Sequence, residues 1–319
     1  MCLVSRGISL VIVRMMILHV WNRRVQVLFL LCLLVCVGVF SCTEKANATV
    51  PVAENNEKPK EYDLYLLIGQ SNMAGRGKML PSDETALIDG VWLLNADDEP
   101  EPAISPLNKY STIRKELSMQ QICPGNGFSA LVHQVTGRKV LLVVNARGGS
   151  ALDEWAPGSP YLNEAIRRTK AAQEHGTLKA ILWHQGESDQ SKAATYLSRL
   201  STMVAALRTE VGDVPFIAGE IAKWRTSGEA LNAEIRRISE VIPASGWVSS
   251  EGLTPLIDTS DPHFDRDSQL KLGERYAERY FTLAGIPYEP PQGGDTPGDG
   301  ASGHLGGDFE DFVAAESKW

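Results

Sequence analysis

The sequence predicts a doubly wound three-layer α/β/α sandwich with a five-stranded, mainly parallel sheet over residues 61–288. Five short apolar runs, of the kind that form strands buried on both faces, support it: Asp63–Ile68, Lys139–Asn145, Leu178–Trp183, Val214–Ala218 and Gly246–Ser249. Amphipathic stretches with helical periodicity alternate with these runs: Phe128–Val135, Tyr161–His175, Tyr196–Val211, Ala230–Ile242 and Ser268–Leu283. In such sheets the functional site lies beyond the carboxyl ends of the strands.

The composition is that of a globular and acidic chain. Of 319 residues, 43% are hydrophobic and 22% are charged, which excludes a wholly disordered or collagen-like protein. The formal net charge is −8, and residues 1–42 contain basic but no acidic residues, so the remainder is more acidic than the average. Because such a chain lacks the basic surface that binds phosphate backbones, we expect no nucleic-acid partner.

Residues 1–42 have the features of an export signal. Trp21–Arg24 is a basic segment, and Val25–Phe40 is an apolar run that is short for a transmembrane helix. The run leads into Val39-Phe40-Ser41-Cys42, which resembles the lipobox of bacterial lipoproteins. We therefore expect a protein of the bacterial cell envelope, anchored by lipid on Cys42. An uncleaved signal-anchor helix is the alternative.

Two polar segments and few cysteines complete the organisation. Residues 43–60 are expected to form a flexible linker, and the acidic, Gly- and Pro-rich residues 289–319 a disordered tail. After export Cys123 would be the only cysteine besides the lipidated one, so no internal disulfide is expected. No histidine cluster has the spacing of metal ligands, so we predict no metal site.

The segment Gly69–Gly75 directly follows the first predicted strand. A serine at a tight strand-to-helix turn presents its hydroxyl to the site, and the first N–H groups of the helix are free to bind an oxyanion. The segment lacks the second glycine of the G-x-S-x-G elbow and the lysine of a P-loop. Ser71 is therefore a candidate nucleophile, and service as a simple helix N-cap is the alternative.

Three more polar motifs occur near predicted strand ends or helix starts: Asn126–Ala130, Trp183–Asp189 and Asp261–Phe264. The crowded polar side chains of the second motif are costly unless they face a wet cleft. Most histidines lie in the signal, in predicted helices or in the tail: His19, His133, His175 and His304. This leaves His184 and His263 as candidate general bases.

Together these motifs resemble the SGNH hydrolase superfamily, in the carbohydrate-esterase branch of sialate O-acetylesterases and family-six acetylxylan esterases. The matching stretches occur in the family's order: Tyr65–Gly77, Asn126–Ala130, Val144–Trp155, Trp183–Asp189 and Asp261–Phe264. The resemblance covers residues 61–285. It implies a flavodoxin-like fold and a Ser-His-acid hydrolase that acts on acetyl esters of sugars without a cofactor.

Carried over residue by residue, the resemblance makes Ser71 the nucleophile and His263 the general base. It assigns the oxyanion hole to the N–H groups of Ser71 and Gly127 and to the Gln185 side chain. Further residues of the matching motifs are expected to bind substrate: Gln70, Asn72, Arg147, Trp155 and His184.

The acid of the triad is the one point at which the sequence departs from the pattern. Many superfamily members place an aspartate three residues before the catalytic histidine, and that position here is Ser260. Acetylxylan esterase-like members take the acid from the Q-G-E motif. We therefore expect Glu187 to contact His263, with Asp261 as the second candidate.

The function expected from the sequence is an exported carbohydrate O-acetylesterase whose partner is an acetylated oligo- or polysaccharide or a sialoside. A non-catalytic glycan-binding lipoprotein is the alternative from another class, and the intact set of candidate catalytic residues disfavours it. A lipase or thioesterase of the same superfamily is a second alternative, disfavoured by the hydrophilic loops of the motifs.

Overall fold

The computed structural model describes residues 60–290, which form a single sheet with helices on both faces. The sheet has seven strands in the order β3-β2-β4-β1-β5-β6-β7, and all neighbours are parallel except β2 and β3. The strands are β1 (Tyr62–Gly69), β2 (Val91–Leu94), β3 (Pro100–Pro102), β4 (Val140–Ala146), β5 (Gly176–His184), β6 (Phe216–Gly219) and β7 (Ser245–Val248). The predictions for residues 1–42, 43–59 and 291–319 lie outside the described residues.

The predicted fold class is confirmed, and the predicted count of five strands is wrong. All five expected strands are present, and β2 and β3 extend the sheet on one side. β2 has only four residues, and β3 has the sequence Pro-Glu-Pro. Because proline lacks the N–H that a strand ladder requires, it is tolerated at an edge but gives no strand signal.

The helices within residues 60–290 are α1 (Ser71–Ala74), α2 (Pro124–Thr136), α3 (Pro160–Ala172), α4 (Ala193–Val211), α5 (Glu229–Arg236), α6 (Ile238–Val241) and α7 (Arg266–Ala284). Short 3-10 helices span Pro81–Glu84, Leu107–Tyr110, Leu117–Met119, Leu152–Trp155, Gln190–Lys192 and Thr226–Gly228. The helix predicted over 230–242 is divided into α5 and α6 at Arg237. In this part of the chain no helix is both long and apolar enough to cross a membrane.

The last helix begins at a point that its own sequence fixes. The carboxylate of Asp265 accepts the N–H of Ser268 at 2.8 Å and caps the first turn of α7. Its far end is closed by Gly285, which adopts the left-handed conformation that glycine tolerates best. The start of α7 therefore places His263 in a short loop directly before the helix.

Side chains of the central strands alternate between two hydrophobic cores, one on each face of the sheet. On β5, Ile181 and Trp183 pack in the core beside α3, α4 and α5, whereas Ala180 and Leu182 pack in the core beside α2 and α7. This period of two follows from the pleat of a strand. The alternation directs the side chain of His184 toward α7 and that of Gln185 toward α4.

Helices α2 and α7 pack closely because glycines face the partner helix where they touch. A Cβ on Gly127 would lie 2.2 Å from the carbonyl oxygen of Leu270, and one on Gly273 would lie 2.1 Å from the carbonyl oxygen of Pro124. Both distances are far below a van der Waals contact, so larger residues would push the helices apart. The glycine of the Asn126–Ala130 motif thus serves helix packing.

The carboxyl ends of β4, β1 and β5 lie side by side. Ile68 of β1 is paired with Asn145 of β4 on one side and with Trp183 of β5 on the other. The chain passes from β4 across β1 to β5, so the direction of winding reverses at this point. Because a crevice forms where the winding of an α/β sheet reverses, the segments after these three strands meet at one site.

Candidate active site

Ser71 follows β1 at a point where two strands approach closely. The N–H of Gln70 donates to the carbonyl oxygen of His184 at 2.8 Å, and a Cβ on Gly69 would lie only 2.2 Å from that oxygen. Gly69 has a φ of 136°, which glycine adopts without strain. This turn makes Ser71 the first residue of α1, with its Oγ 3.0 Å from Nε2 of His263.

The carboxylate of Asp261 orients the imidazole of His263. Its Oδ1 lies 2.7 Å from Nδ1 of His263 and also accepts the backbone N–H of that residue at 2.9 Å. A proton on Nδ1 directs the lone pair of Nε2 toward Ser71, as a general base requires. Burial is the largest cause that lowers the pKa of His263, although Asp261 acts to raise it. The indole of Trp224 donates to the carbonyl oxygen of Asp261 at 2.8 Å and steadies the loop.

The expectation that Glu187 contacts His263 is wrong. The Glu187 carboxylate accepts the Nδ2–H of Asn72 at 2.7 Å, and Asp261 makes the contact with Nδ1. The turn through Pro262 folds the aspartate back onto the ring only two residues away.

The Gln185 amide does not face Ser71. The side chain is fully buried on the α4 side of the sheet, where its Nε2 donates to the carbonyl oxygen of Ser150 at 3.1 Å and to Oδ2 of Asp189 at 2.6 Å. Its Oε1 accepts the hydroxyl of Tyr196 at 2.9 Å. Because both its nitrogen and its oxygen are hydrogen-bonded, the Gln185 amide stabilises the segments that follow β4 and β5.

Gly127 also lies elsewhere, in contact with α7, and Gly148 lies beside Ser71 instead. A Cβ on Gly148 would be 3.8 Å from Cβ of Ser71. Gly148 is buried, and its N–H has no acceptor among residues 60–290. The N–H of Ser71, at the first position of α1, likewise has no acceptor within that helix. The adjacent glycines Gly148 and Gly149, shortly after β4, are the sequence feature that could have predicted a backbone N–H donor here.

Arg76 is a second site residue that the sequence analysis missed. Its Nη1 donates to the carbonyl oxygens of Gly75 at 2.6 Å and Met119 at 2.9 Å. These bonds hold Nη2 against Gly148, 2.5 Å from the position that a Cβ there would take. The positive charge helps to lower the pKa of His263, and burial lowers the pKa of Arg76 itself.

Most of the side chains expected to bind substrate are buried in internal contacts. Gln70 accepts the backbone N–H groups of Gly186 at 3.3 Å and Ser188 at 3.4 Å. Trp155 is fully buried, and its indole donates to the hydroxyl of Ser150 at 2.9 Å. Gln70 thus joins the segments that follow β1 and β5, and Trp155 stabilises the segment that follows β4.

Arg147 and His184 are likewise turned inward. Arg147 donates from Nη1 to the carbonyl oxygens of Ile113 at 3.0 Å and Arg114 at 3.1 Å. His184 is fully buried, with Nδ1 3.2 Å from the hydroxyl of Tyr276. Burial lowers the pKa of His184 to about 3, so this imidazole is neutral near pH 7. His263 is therefore the histidine placed to act as a base.

The sequence over residues 61–282 matches the family described as carbohydrate esterase, sialic acid-specific acetylesterase. The chain belongs to this family. A probable carbohydrate esterase from Arabidopsis thaliana is 28% identical over 245 residues, which cover 69% of this chain and 90% of that protein. The carbohydrate-esterase branch expected from the sequence is thus confirmed.

Solved structures resemble the same part of the chain. The X-ray structure of an Arabidopsis thaliana protein is 27% identical, has a TM-score of 0.60, and the match covers 70% of this chain and 99% of that one. The crystal structure of a carbohydrate acetylesterase from Xanthomonas citri is 18% identical in sequence and has a TM-score of 0.51. The match covers 70% of this chain and 56% of that one. The second similarity supports the fold alone.

Proposed function

We propose that this family member removes acetyl groups from sugar hydroxyls through an acyl-enzyme formed on Ser71. The observation that carries the proposal is the continuous chain from Ser71 Oγ to His263 Nε2 at 3.0 Å and from His263 Nδ1 to Asp261 at 2.7 Å. It lies at the carboxyl edge of the sheet, and membership of a carbohydrate esterase family supports the substrate class.

The chemistry follows from the three side chains. A serine hydroxyl is a weak nucleophile, so neutral His263 takes its proton as Oγ bonds to the acetyl carbonyl carbon. The imidazolium, stabilised by Asp261, then gives the proton to the sugar oxygen, and the ester bond breaks. Water attacks the acetyl-enzyme with His263 again as base, which releases acetate and restores Ser71.

The negative charge on the tetrahedral oxygen needs donors that are already in place. The N–H groups of Ser71 and Gly148 are the candidates on the backbone, and the guanidinium of Arg76 lies against the same glycine. Loss of one such donor costs about 3 kcal/mol of transition-state stabilisation. We assign the oxyanion hole to this set, in place of Gly127 and Gln185.

The rate should depend on pH through His263. Because its pKa lies below the ordinary value of about 6.5, the imidazole is already neutral at pH 7. A base acts only when unprotonated, so kcat/KM is expected to be high near neutrality and to fall as the pH drops through that lowered pKa. A profile of kcat/KM for an uncharged acetyl ester checks this. A rate that rises as the solution becomes more acidic would contradict it.

The substrate class is tested by measuring acetate release from a panel of acetylated polysaccharides and acetylated sialosides. Turnover of acetylated sugars supports the proposal. Binding of the same glycans without release of acetate would instead favour a glycan-binding protein. A preference for long-chain acyl esters over acetyl esters would favour a lipase, and a preference for thioesters a thioesterase.

We further propose that the protein is exported and tethered in the bacterial cell envelope through Cys42 and the linker of residues 43–60, which rests on the lipobox-like sequence. The substitution Cys42→Ser is expected to move the protein out of the detergent phase or to leave an uncleaved precursor. Fractionation with detergent-phase partitioning measures this, with Cys123→Ser as the matched control. Unchanged partitioning of the Cys42 variant would indicate a signal-anchor helix.

A further inference from the structure

Asn72 holds the backbone on both sides of the proposed base. Its side chain is fully buried, and Nδ2 donates to the carbonyl oxygen of Pro262 at 3.1 Å while Oδ1 accepts the N–H of Phe264 at 3.2 Å. These two residues flank His263. The second hydrogen of Nδ2 goes to Glu187, at 2.7 Å. The orientation of the Asn72 amide therefore fixes where the imidazole sits.

Glu187 is buried with few partners of its own. Its side chain is 7% exposed, Oε1 accepts from Asn72, and Oε2 has no hydrogen-bond partner among the described residues. The nearest basic group is His184, whose Nε2 is 4.0 Å from Oε1 and also lacks a hydrogen-bond partner in residues 60–290. A carboxylate that is buried with so little compensation costs stability. Such groups occur preferentially at functional sites.

We propose that Glu187 is a positioning residue of the esterase, which sets the Asn72 amide and, through it, the loop that carries His263. This inference rests on the proposed function. Glu187 makes no hydrogen bond to Ser71 or His263, and its hydrogen-bonded link to the loop of His263 runs through Asn72, whose Oδ1 also accepts from Nε2 of Gln269 at 3.1 Å. The expected consequence is a change in kcat with little change in KM.

The protonation state of Glu187 should be visible in the rate. Burial raises its pKa to about 7, and the charge of Arg225 opposes that rise. The other titratable groups near it stay neutral at this pH, since burial lowers the pKa of the histidine and raises that of both tyrosines: His184 on β5, Tyr196 on α4 and Tyr276 on α7. From α1 the Asn72 amide donates a hydrogen bond to it.

The direction of the pH effect follows from the hydrogen bond. An ionised carboxylate is a stronger acceptor than a neutral carboxyl group, so ionised Glu187 holds Asn72 more firmly. As the pH falls through about 7, Glu187 takes up a proton and this hold weakens. The acid side of the kcat/KM profile should therefore contain two ionisations, one from Glu187 and a lower one from His263.

The test is Glu187→Gln, which keeps the size of the side chain and an acceptor oxygen for Asn72. On the alkaline plateau kcat is expected to fall about tenfold with KM little changed, because misplacement of a catalytic group costs rate. The acid limb is expected to show only the lower ionisation. Glu278→Gln is the matched control: burial also raises the pKa of Glu278 to about 7, but it lies on α7, about 18 Å along the helix from its start.

Three results would overturn the proposal: an unchanged kcat, an acid limb that keeps both ionisations, or the same change in the Glu278 variant. If Glu187→Gln does not fold, Asn72→Ser takes its place, and a normal kcat for that variant would equally overturn the proposal. The failure of the proposed function is a separate outcome, since wild-type protein would then release no acetate. Acetate release that depends on Ser71 but not on Glu187 rejects the positioning role alone.

Discussion

Ser71→Ala is expected to lower kcat for acetyl esters by about a millionfold, the loss typical of removing a serine nucleophile. The fold should be unaffected, because within residues 60–290 the Ser71 hydroxyl hydrogen-bonds only to His263. Steady-state kinetics with circular dichroism measures both. Ser245→Ala is the matched control, because its buried hydroxyl bonds to the carbonyl oxygen of Ile242 at 2.6 Å, at the amino end of β7 and so at the opposite edge of the sheet from the site. Activity of the Ser71 variant within about tenfold of the wild type would rule out the nucleophile assignment.

Asp261→Asn is expected to reduce kcat by about three to four orders of magnitude, since an amide in this place favours the wrong histidine tautomer. Asp258→Asn is the control, because that exposed carboxylate bonds to the N–H of Ser260 at 2.8 Å and to its hydroxyl at 2.6 Å, and not to His263. The measurement is kcat of Asp261→Asn and of Asp258→Asn, each relative to the wild type. A larger loss in Glu187→Gln than in Asp261→Asn would restore the glutamate as the acid of the triad.

The interior of the fold was predictable because its strands are buried on both faces. A segment such as β4, whose residues are all buried, leaves a continuous apolar run that a local pattern detects. The missed strands lie at the sheet's side, where β3 contains prolines and is partly exposed. Edge strands need fewer apolar residues and fewer N–H donors, so their sequences resemble loops.

The site was predictable as far as local motifs define it. Ser71 lies two residues after β1 and His263 three residues before α7, so the motif around each residue predicts its position. The residue that contacts Nδ1 of His263 depends on the path of the loop through Pro262. Hydrophobic periodicity predicts helices and strands but not the path of such a loop. Strand alternation could have placed the Gln185 side chain on the α4 side, beside Trp183, rather than in the cleft.

Gly148 and Arg76 were missed for a different reason. Gly148 lies beside Ser71 because β4 pairs with β1. The order of strands in a sheet cannot be predicted from the local sequence of either strand. Arg76 reaches the same place because two carbonyl oxygens, one of them from Met119, fix its guanidinium. Contacts between distant segments of this kind require the tertiary structure.

Ser71 is expected to carry the acetyl group during turnover. Rapid acid quench of the enzyme with an acetyl ester, followed by digestion and peptide mass spectrometry, observes that intermediate directly. The predicted result is one acetyl group on Ser71 in the wild type and none at this position in Ser71→Ala, which should also lack turnover. Acetylation of a different residue, or acetate release by the Ser71→Ala variant at the wild-type rate, would contradict the assignment of Ser71 as the nucleophile.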